Sequence, residues 1–185
     1  MTDSSAQSDQ VALDSLEKQL KNVQRRPLSE WSPNHIGEIA IRIKRDGSWL
    51  YQDSPINRQA LVNLFASVLL REGDNYYLIT PVEKLRIQVD DTPFVATAMQ
   101  VFHAATSEQV ISFTTNIGEQ VIVDAEHQLW VDYDDEQVPA PYLHIRDGLN
   151  ALISRNVWLE LAEYIEETSN PYSVRSSGTI FALQS

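Results

Sequence analysis

The sequence predicts an α+β fold built on internal duplication, with a C-terminal antiparallel β barrel or sandwich capped by a helix. Three observations carry this expectation. An Arg-Asp-Gly tripeptide occurs twice, at Arg45-Asp46-Gly47 and at Arg146-Asp147-Gly148. Each copy lies between two extended runs, and the second run leads through a Ser into helical apolar spacing. Between the copies the pattern changes to short alternating runs separated by turn residues, the signature of antiparallel strands.

Asp-Gly between extended runs predicts a hairpin with a primed turn, because such a turn needs positive φ at both central residues. Before the first turn Ile39, Ile41 and Ile43 take one face and Ala40, Arg42 and Lys44 the other. Before the second, Leu143 and Ile145 alternate with Tyr142, His144 and Arg146. Ser54 is the predicted N-cap of the first helix, with Pro55 at the first helical position, and Ser154 caps the second. Both helices carry apolar residues seven, ten and eleven places beyond the Ser: Leu61, Leu64 and Phe65, then Leu161, Tyr164 and Ile165. The first stripe continues through Val68 and Leu69, giving helices that run to Arg71 and Thr168. Each unit ends in a strand, at Tyr76–Ile79 and Ile180–Leu183. The predicted repeat is thus a β-turn-β-α-β unit recurring at about a hundred residues, far longer than a solenoid period.

A chain of 185 residues is one large domain or two small ones. We expect a flexible start at residues 1–10 and an amphipathic helix over Val11–Gln24, with Leu13, Leu16, Leu20 and Val23 on one side packing on its own domain. Pro27 ends that segment, so residues 1–26 stand apart. The N-terminal α+β domain spans 27–81, because Pro81 cannot donate to a sheet ladder and marks a break. The β-rich domain spans 82–185. Its strands are read at Lys84–Asp90, Val95–Phe102, Val110–Thr114, Gln120–Asp124 and Gln128–Tyr133, with Asp134-Asp135-Glu136 an acidic loop. The second hairpin brings the count to seven antiparallel strands. One closing helix then gives the order, loosely, of a pleckstrin-homology-like barrel, a likeness that carries no function.

Composition narrows the function classes. There is no Cys, which removes disulfides, thiolate nucleophiles and Cys-based zinc sites. No secretory signal and no apolar run of membrane-spanning length is visible, so the expectation is a soluble, cytoplasmic, bacterial protein. Formal net charge is −12, and no Lys or Arg occurs from Ile87 to Ile145. That stretch holds ten acids, leaving only −2 for the rest of the chain. Such a field repels phosphate backbones and anionic lipid, which argues against wholesale nucleic-acid or membrane binding.

Motifs for chemistry are absent. The six glycines are isolated, so there is no phosphate-binding loop, dinucleotide fingerprint or nucleophile elbow. His35, His103, His127 and His144 form no metal-binding pair, and no metal or cofactor is expected. The acids from Asp132 to Glu136 fail the calcium-loop pattern, with Leu143 standing where the bidentate Glu belongs.

Two features remain. Arg58 and Arg155 fall in the opening turns of the two helices, where a bridging anion would suit both the guanidinium and the free N–H groups. The simpler reading, which we prefer, is neutralisation by neighbouring carboxylates such as Asp53. Tyr142, His144 and Arg146 form a polar, aromatic strand face able to grip a base and a phosphate. An ordinary exposed sheet face is again the simpler reading. Thr80, Lys84, Thr115 and Asn116 would contribute from the seam between the domains.

The run from Asp46 to Tyr51, Ser54-Pro55-Ile56-Asn57-Arg58 and the run from Tyr77 to Lys84 resemble a proteobacterial family of unknown function, DUF1285. Phe113-Thr114-Thr115-Asn116 and the run from Pro141 to Leu149 do so too, and the likeness spans Trp31 to Phe181. The resemblance implies two domains with an internal duplication, a loosely pleckstrin-like second domain, a ligand site at the domain interface with a nucleotide as one candidate, and a signalling role. It supplies no catalytic residues.

The expectation is therefore a non-enzymatic ligand-sensing or regulatory protein. An anionic small molecule would bind Arg58, Lys84, Arg146 and Arg155 by charge, Tyr142 by stacking and Thr80, Asn116 and His144 by hydrogen bonds. The alternative is an adaptor that binds a protein partner, or a second copy of itself, through the N-terminal helix or a sheet edge. An enzyme with dispersed residues is a third reading.

Overall fold

The structure, a computed structural model, describes Ser15, Glu17, Lys18, Leu28 and residues 31–133, 138–166 and 171–183. The chain divides into two compact units, Met1–Arg42 with Trp49–Gln88 and Ile43–Ser48 with Val89–Ser185. Ser15, Glu17 and Lys18 are helical, while Leu13, Leu16, Leu20 and Val23, residues 1–10 and the acidic loop Asp134-Asp135-Glu136 lie outside the described residues.

The first sheet contains β1 (His35–Ile43), β2 (Trp49–Tyr51), β3 (Ser54–Pro55), β4 (Leu69–Glu72), β5 (Asn75–Ile79) and β6 (Glu83–Val89), with helix α1 (Gln59–Ala66) between β3 and β4. Its strand order is β3-β2-β1-β6-β5-β4. The second sheet contains β7 (Phe94–Phe102), β8 (Val110–Thr115), β9 (Gln120–Ile122), β10 (Leu129–Tyr133), β11 (Pro139–Arg146) and β12 (Leu149–Ile153), in the order β10-β11-β12-β7-β8-β9. Read from its other edge, that is β9-β8-β7-β12-β11-β10, the order of the first sheet advanced by six strands. The α+β fold and the duplication are both borne out. The duplication, however, relates β1–β2 to β7–β8 and β5–β6 to β11–β12. The two Arg-Asp-Gly turns, between β1 and β2 and between β11 and β12, therefore occupy different places in the repeat.

The two turns also differ in build. Asp147 and Gly148 both have positive φ, 47° and 74°, and Arg146 pairs with Leu149, so this is the predicted two-residue primed turn. The first turn holds only Gly47 at positive φ, 83°, with Gly47 N–H bonded to Lys44 and Lys44 N–H to Ser48. It is a three-residue loop with one left-handed residue, stabilised by the Asp46 carboxylate on the Ser48 N–H at 2.9 Å.

The helices are shorter than their apolar stripes suggest. Ser54 is not a cap: Ser54 and Pro55 form β3, an edge strand on β2, where a Pro costs no ladder bond. Arg58 occupies the N-cap position of α1, and the helix stops at Ala66, where Ser67 returns its hydroxyl to the Leu64 carbonyl. Leu69–Glu72 is then a strand paired with β5, not the end of a helix. Short apolar runs satisfy both periods, and here the cross-strand partners Leu78 and Tyr77 decide. Helix α2 (Arg155–Ala162) has Ser154 at its N-cap, as predicted, but without a side-chain cap bond, and it ends at Ala162. Counted from the true caps, the two helices match: buried residues stand three and seven places on, Leu61 and Phe65 in α1, Val157 and Leu161 in α2.

Pro81 sits in a turn rather than at a domain break. Thr80 N–H bonds the Glu83 carbonyl at 2.8 Å, and β6 pairs with β5 from Tyr76–Ile87 to Ile79–Lys84, so the first unit continues to Gln88. The second sheet accordingly has six strands rather than seven, and β12 joins β7 in parallel through Ala151–Phe94, while its other pairs are antiparallel. One face of this sheet is core: Phe94, Ile111, Phe113, Leu143, Leu149 and Ala151 are wholly buried. A two-stranded hairpin of β13 (Ser173–Ser176) and β14 (Thr179–Ala182) follows α2. The buried Ser176 hydroxyl accepts from Ile111 N–H and donates to the Val123 carbonyl, tying β13 to the sheet.

Candidate functional site

The face of the second sheet opposite that core carries four rings. Cross-strand register places Trp130 beside Tyr142, with ring centroids 5.6 Å apart and planes 27° apart. Tyr142 and His144 point the same way because they are two residues apart on β11. His144 stacks in turn on His127, centroids 6.4 Å apart. All four rings are half-buried.

Each ring is held by hydrogen bonds. The Tyr142 hydroxyl donates to the Asp91 carboxylate, 3.1 Å from each oxygen, and Arg45 Nε lies 3.2 Å from the same carboxylate. Trp130 Nε1 donates to Asp132 at 3.2 Å. His144 Nδ1 is 2.9 Å from the Glu126 carbonyl, which can only accept, so Nδ1 carries the proton and Nε2 accepts from Gly148 N–H at 3.4 Å. Burial, and then the Asp91 charge, push the Tyr142 hydroxyl up to about 12, so it stays protonated and serves as a donor rather than a base. Partial burial raises Asp124, but hydrogen bonds from His127 and Glu126 outweigh it and hold this carboxyl below its ordinary value. The result is a rigid aromatic strip with Asp91, Asp132 and Arg45 at its margins.

The predicted site residues divide between the units. In the first, Arg58 pairs with Glu17 at 2.7 Å rather than with Asp53. Thr80 is fully buried, and its hydroxyl accepts from Val82 and Glu83 N–H to build the β5–β6 turn. Lys84 pairs with Glu72 and lies 4.5 Å from the centroid of the Tyr77 ring. In the second, Asn116 is structural: its Oδ1 accepts from Val95 N–H at 3.0 Å and its Nδ2 donates to the Gly47 carbonyl at 3.1 Å. Thr115 is buried, its hydroxyl accepting from Glu119 N–H. A bulge between His144 and Arg146 takes Arg146 out of the Tyr142 row. Its guanidinium bonds Glu119 at 3.0 Å and lies over the Phe94 ring, which belongs to the core row with Ala151. Arg155, the first residue of α2, is exposed, and no ion pair involves it among the described residues.

Tyr142 and His144 are thus brought together as predicted, and Trp130, His127, Asp91 and Arg45 join them unforeseen. Trp130 was within reach of the sequence, since it alternates with Leu129 on a readable strand. Asp91 and Arg45 come from distant loops with no local signal. No group of His, Asp or Glu side chains able to hold a metal occurs among the described residues.

Residues 26–92 match the model of a domain of unknown function, the DUF1285 N-terminal domain, and residues 93–183 match the DUF1285 C-terminal domain. A crystal structure of a DUF1285 family protein from Silicibacter pomeroyi DSS-3 is 40% identical, with 92% of this chain and 94% of that one aligned and a TM-score of 0.83. The chain belongs to the DUF1285 family. A second DUF1285 structure, from Shewanella baltica OS155, is 26% identical over 68% of this chain and 91% of that one, with a TM-score of 0.53. No curated protein matches the chain. The family boundary at residues 92 and 93 falls close to the junction of the two units after Gln88. Among the described residues, no helix of this DUF1285 protein is long and apolar enough to cross a membrane.

Proposed function

We propose that this DUF1285 protein is a non-enzymatic ligand-sensing or regulatory protein, and that its second unit binds an anionic small molecule, a nucleotide being one candidate. The Trp130–Tyr142 stack carries the reading. Two aromatic rings pinned through Asp132 and Asp91 form a preorganised surface for a flat ring, at little conformational cost on binding. Arg45, at the margin and exposed over 63% of its side chain, would meet the anionic group. The acids beside the platform favour a compact ligand with one localised charge over a phosphate polymer.

The test is a thermal-shift screen against nucleotides, cyclic nucleotides and cyclic dinucleotides. Ligand at about 100 times its dissociation constant adds about 2.7 kcal/mol, which raises the melting point by several degrees. Trp130→Leu and Arg45→Ala are expected to abolish the shift. Equal shifts in wild type and both variants would remove the site from this face.

An adaptor role is the second reading. The edge strand β9 carries Ile122 with 48% of its surface exposed, which favours addition of a partner strand or a second copy. Deleting residues 1–26 separates the two contacts considered for a partner: capture that survives deletion points to the edge, and capture that is lost points to the N-terminal segment.

A further inference from the structure

We propose a second ligand site in the same unit, independent of the aromatic face: a pocket that binds a small zwitterion of the α-amino-acid class. The pocket encloses about 560 Å³, within the range of small-molecule sites. It lies between the β7–β8 loop, the segment after α2 and β13, and its chemistry comes from Thr106, Ser107, Glu163, Tyr164, Glu166 and Arg175.

Two opposite charges there have unused bonding capacity. Arg175 donates only through Nε, to Glu166 at 3.4 Å, and its two terminal nitrogens have no partner among the described residues. Those nitrogens are the planar pair that grips a carboxylate bidentately. Glu163 forms no ion pair among the described residues and stands at the C-cap of α2. The helix C-terminus carries partial negative charge, so Glu163 and the helix together favour a cation beside them. The lining thus offers a guanidinium suited to a carboxylate and a carboxylate suited to an ammonium, with Tyr164 beside them.

The wall is preorganised. Gln109, 6% exposed, lines the pocket: its Oε1 accepts from Ala105 N–H at 3.0 Å and its Nε2 donates to the Arg175 carbonyl at 2.8 Å. This side chain fixes the loop against β13, and with it the position of Arg175. The Thr106 hydroxyl closes the loop on the His103 carbonyl at 2.7 Å.

Isothermal titration of the full chain with each of the twenty free L-amino acids at millimolar concentration is the first measurement. Binding of one or a few, with micromolar to low-millimolar affinity, is the expected result; no heat from any of them overturns the proposal. The best ligand is then compared with its carboxamide, which keeps only the ammonium, and its N-acetyl form, which keeps only the carboxylate. Each is expected to bind at least about tenfold more weakly, the cost of losing one charged hydrogen-bonded contact. A derivative that binds as well as the parent overturns the zwitterion assignment, and this comparison uses the unaltered protein. Glu163→Gln and Arg175→Gln are expected to weaken the parent by a similar factor, with Glu108→Gln, outside the pocket lining, unchanged. Unchanged affinity in both pocket variants would place the ligand elsewhere. The Trp130→Leu variant retains amino-acid binding if the two sites are independent, so failure of either site leaves the other readable.

Discussion

The two sheets share one strand order, yet their helices enter at different points. In the first unit α1 falls between the third and fourth strands, whereas in the second a turn from Asp124 to His127 makes that connection and α2 follows the sixth strand. The helices remain alike in length and in the spacing of their buried residues. The comparison teaches that the strand order of these sheets is compatible with an eight-residue helix at either of two places in the chain. Burial differs accordingly. Leu61, Val62, Phe65 and Ala66 are all buried in α1, and Phe65 meets Trp49 with ring centroids 6.3 Å apart. Helix α2 buries Val157 and Leu161 and leaves Leu159 59% exposed, while Val174 and Phe181 of the β13–β14 hairpin, and Leu183 just after it, are buried.

The largest expected effect tests that difference directly. Phe65→Ala removes a wholly buried ring from the more enclosed helix and is expected to cost about 4 kcal/mol. Leu161→Ala removes the residue at the matching place in α2, also wholly buried, and is expected to cost about 3 kcal/mol, because a Leu side chain leaves a smaller void than a Phe ring. Equilibrium urea unfolding of both variants measures this. A costlier Leu161→Ala would mean that α2, not α1, is the more enclosed of the pair.

Strand alternation was readable wherever one face is buried, as in Ile41 and Ile43 or Leu143 and Ile145. The hairpin between β2 and β3 was not, because it turns through Gln52 and Asp53, non-glycine residues at φ 48° and 60° with no turn signature. The phase of the duplication was hidden for a different reason. Two Arg-Asp-Gly turns look equivalent in sequence, but strand order depends on which strands pair, and the pairing of β1 with β6 and of β12 with β7 is non-local. At the candidate site, Tyr142 and His144 were legible from period two, whereas the bulge that removes Arg146 has no marker in the sequence. The charges expected to hold an anion were legible as residues but not as partners: Arg58, Lys84 and Arg146 each face a carboxylate supplied from a distant stretch.

A middle-sized effect sharpens the comparison of turns. Gly47 and Gly73 both have positive φ, but a Cβ on Gly47 would lie 2.8 Å from Asn116 Nδ2 and 2.9 Å from Val95 Cγ2, whereas one on Gly73 meets nothing within 4 Å. Gly73→Ala is expected to cost about 1 kcal/mol, the ordinary cost of a left-handed alanine. Gly47→Ala is expected to cost about 2 kcal/mol or more, because the same strain is joined by displacement of an Asn side chain that satisfies two backbone groups. Equal costs would show that Asn116 yields freely and that the Arg-Asp-Gly tip is held by the turn alone.

The smallest effect concerns the turn that stands where α1 stands in the other unit. Asp124 accepts from the backbone N–H groups of Glu126 and His127 and from the His127 ring, and these bonds keep its carboxyl below the ordinary 3.8. A carboxylate lowered in the folded state adds stability that is complete above its unfolded value and is lost as pH falls through the lowered one. Asp124→Asn is therefore expected to be less stable than wild type at pH 7, on the order of a few tenths of a kcal/mol because the side chain is partly exposed. The gap should narrow as the pH falls from 3.8 through the lowered native value, below which the native carboxyl has also lost its charge. Denaturant midpoints at pH 7 and below pH 3.8 decide the matter: a gap that widens in acid would mean that Asp124 favours the folded state when neutral, and that hydrogen bonding to the charged form does not hold this turn.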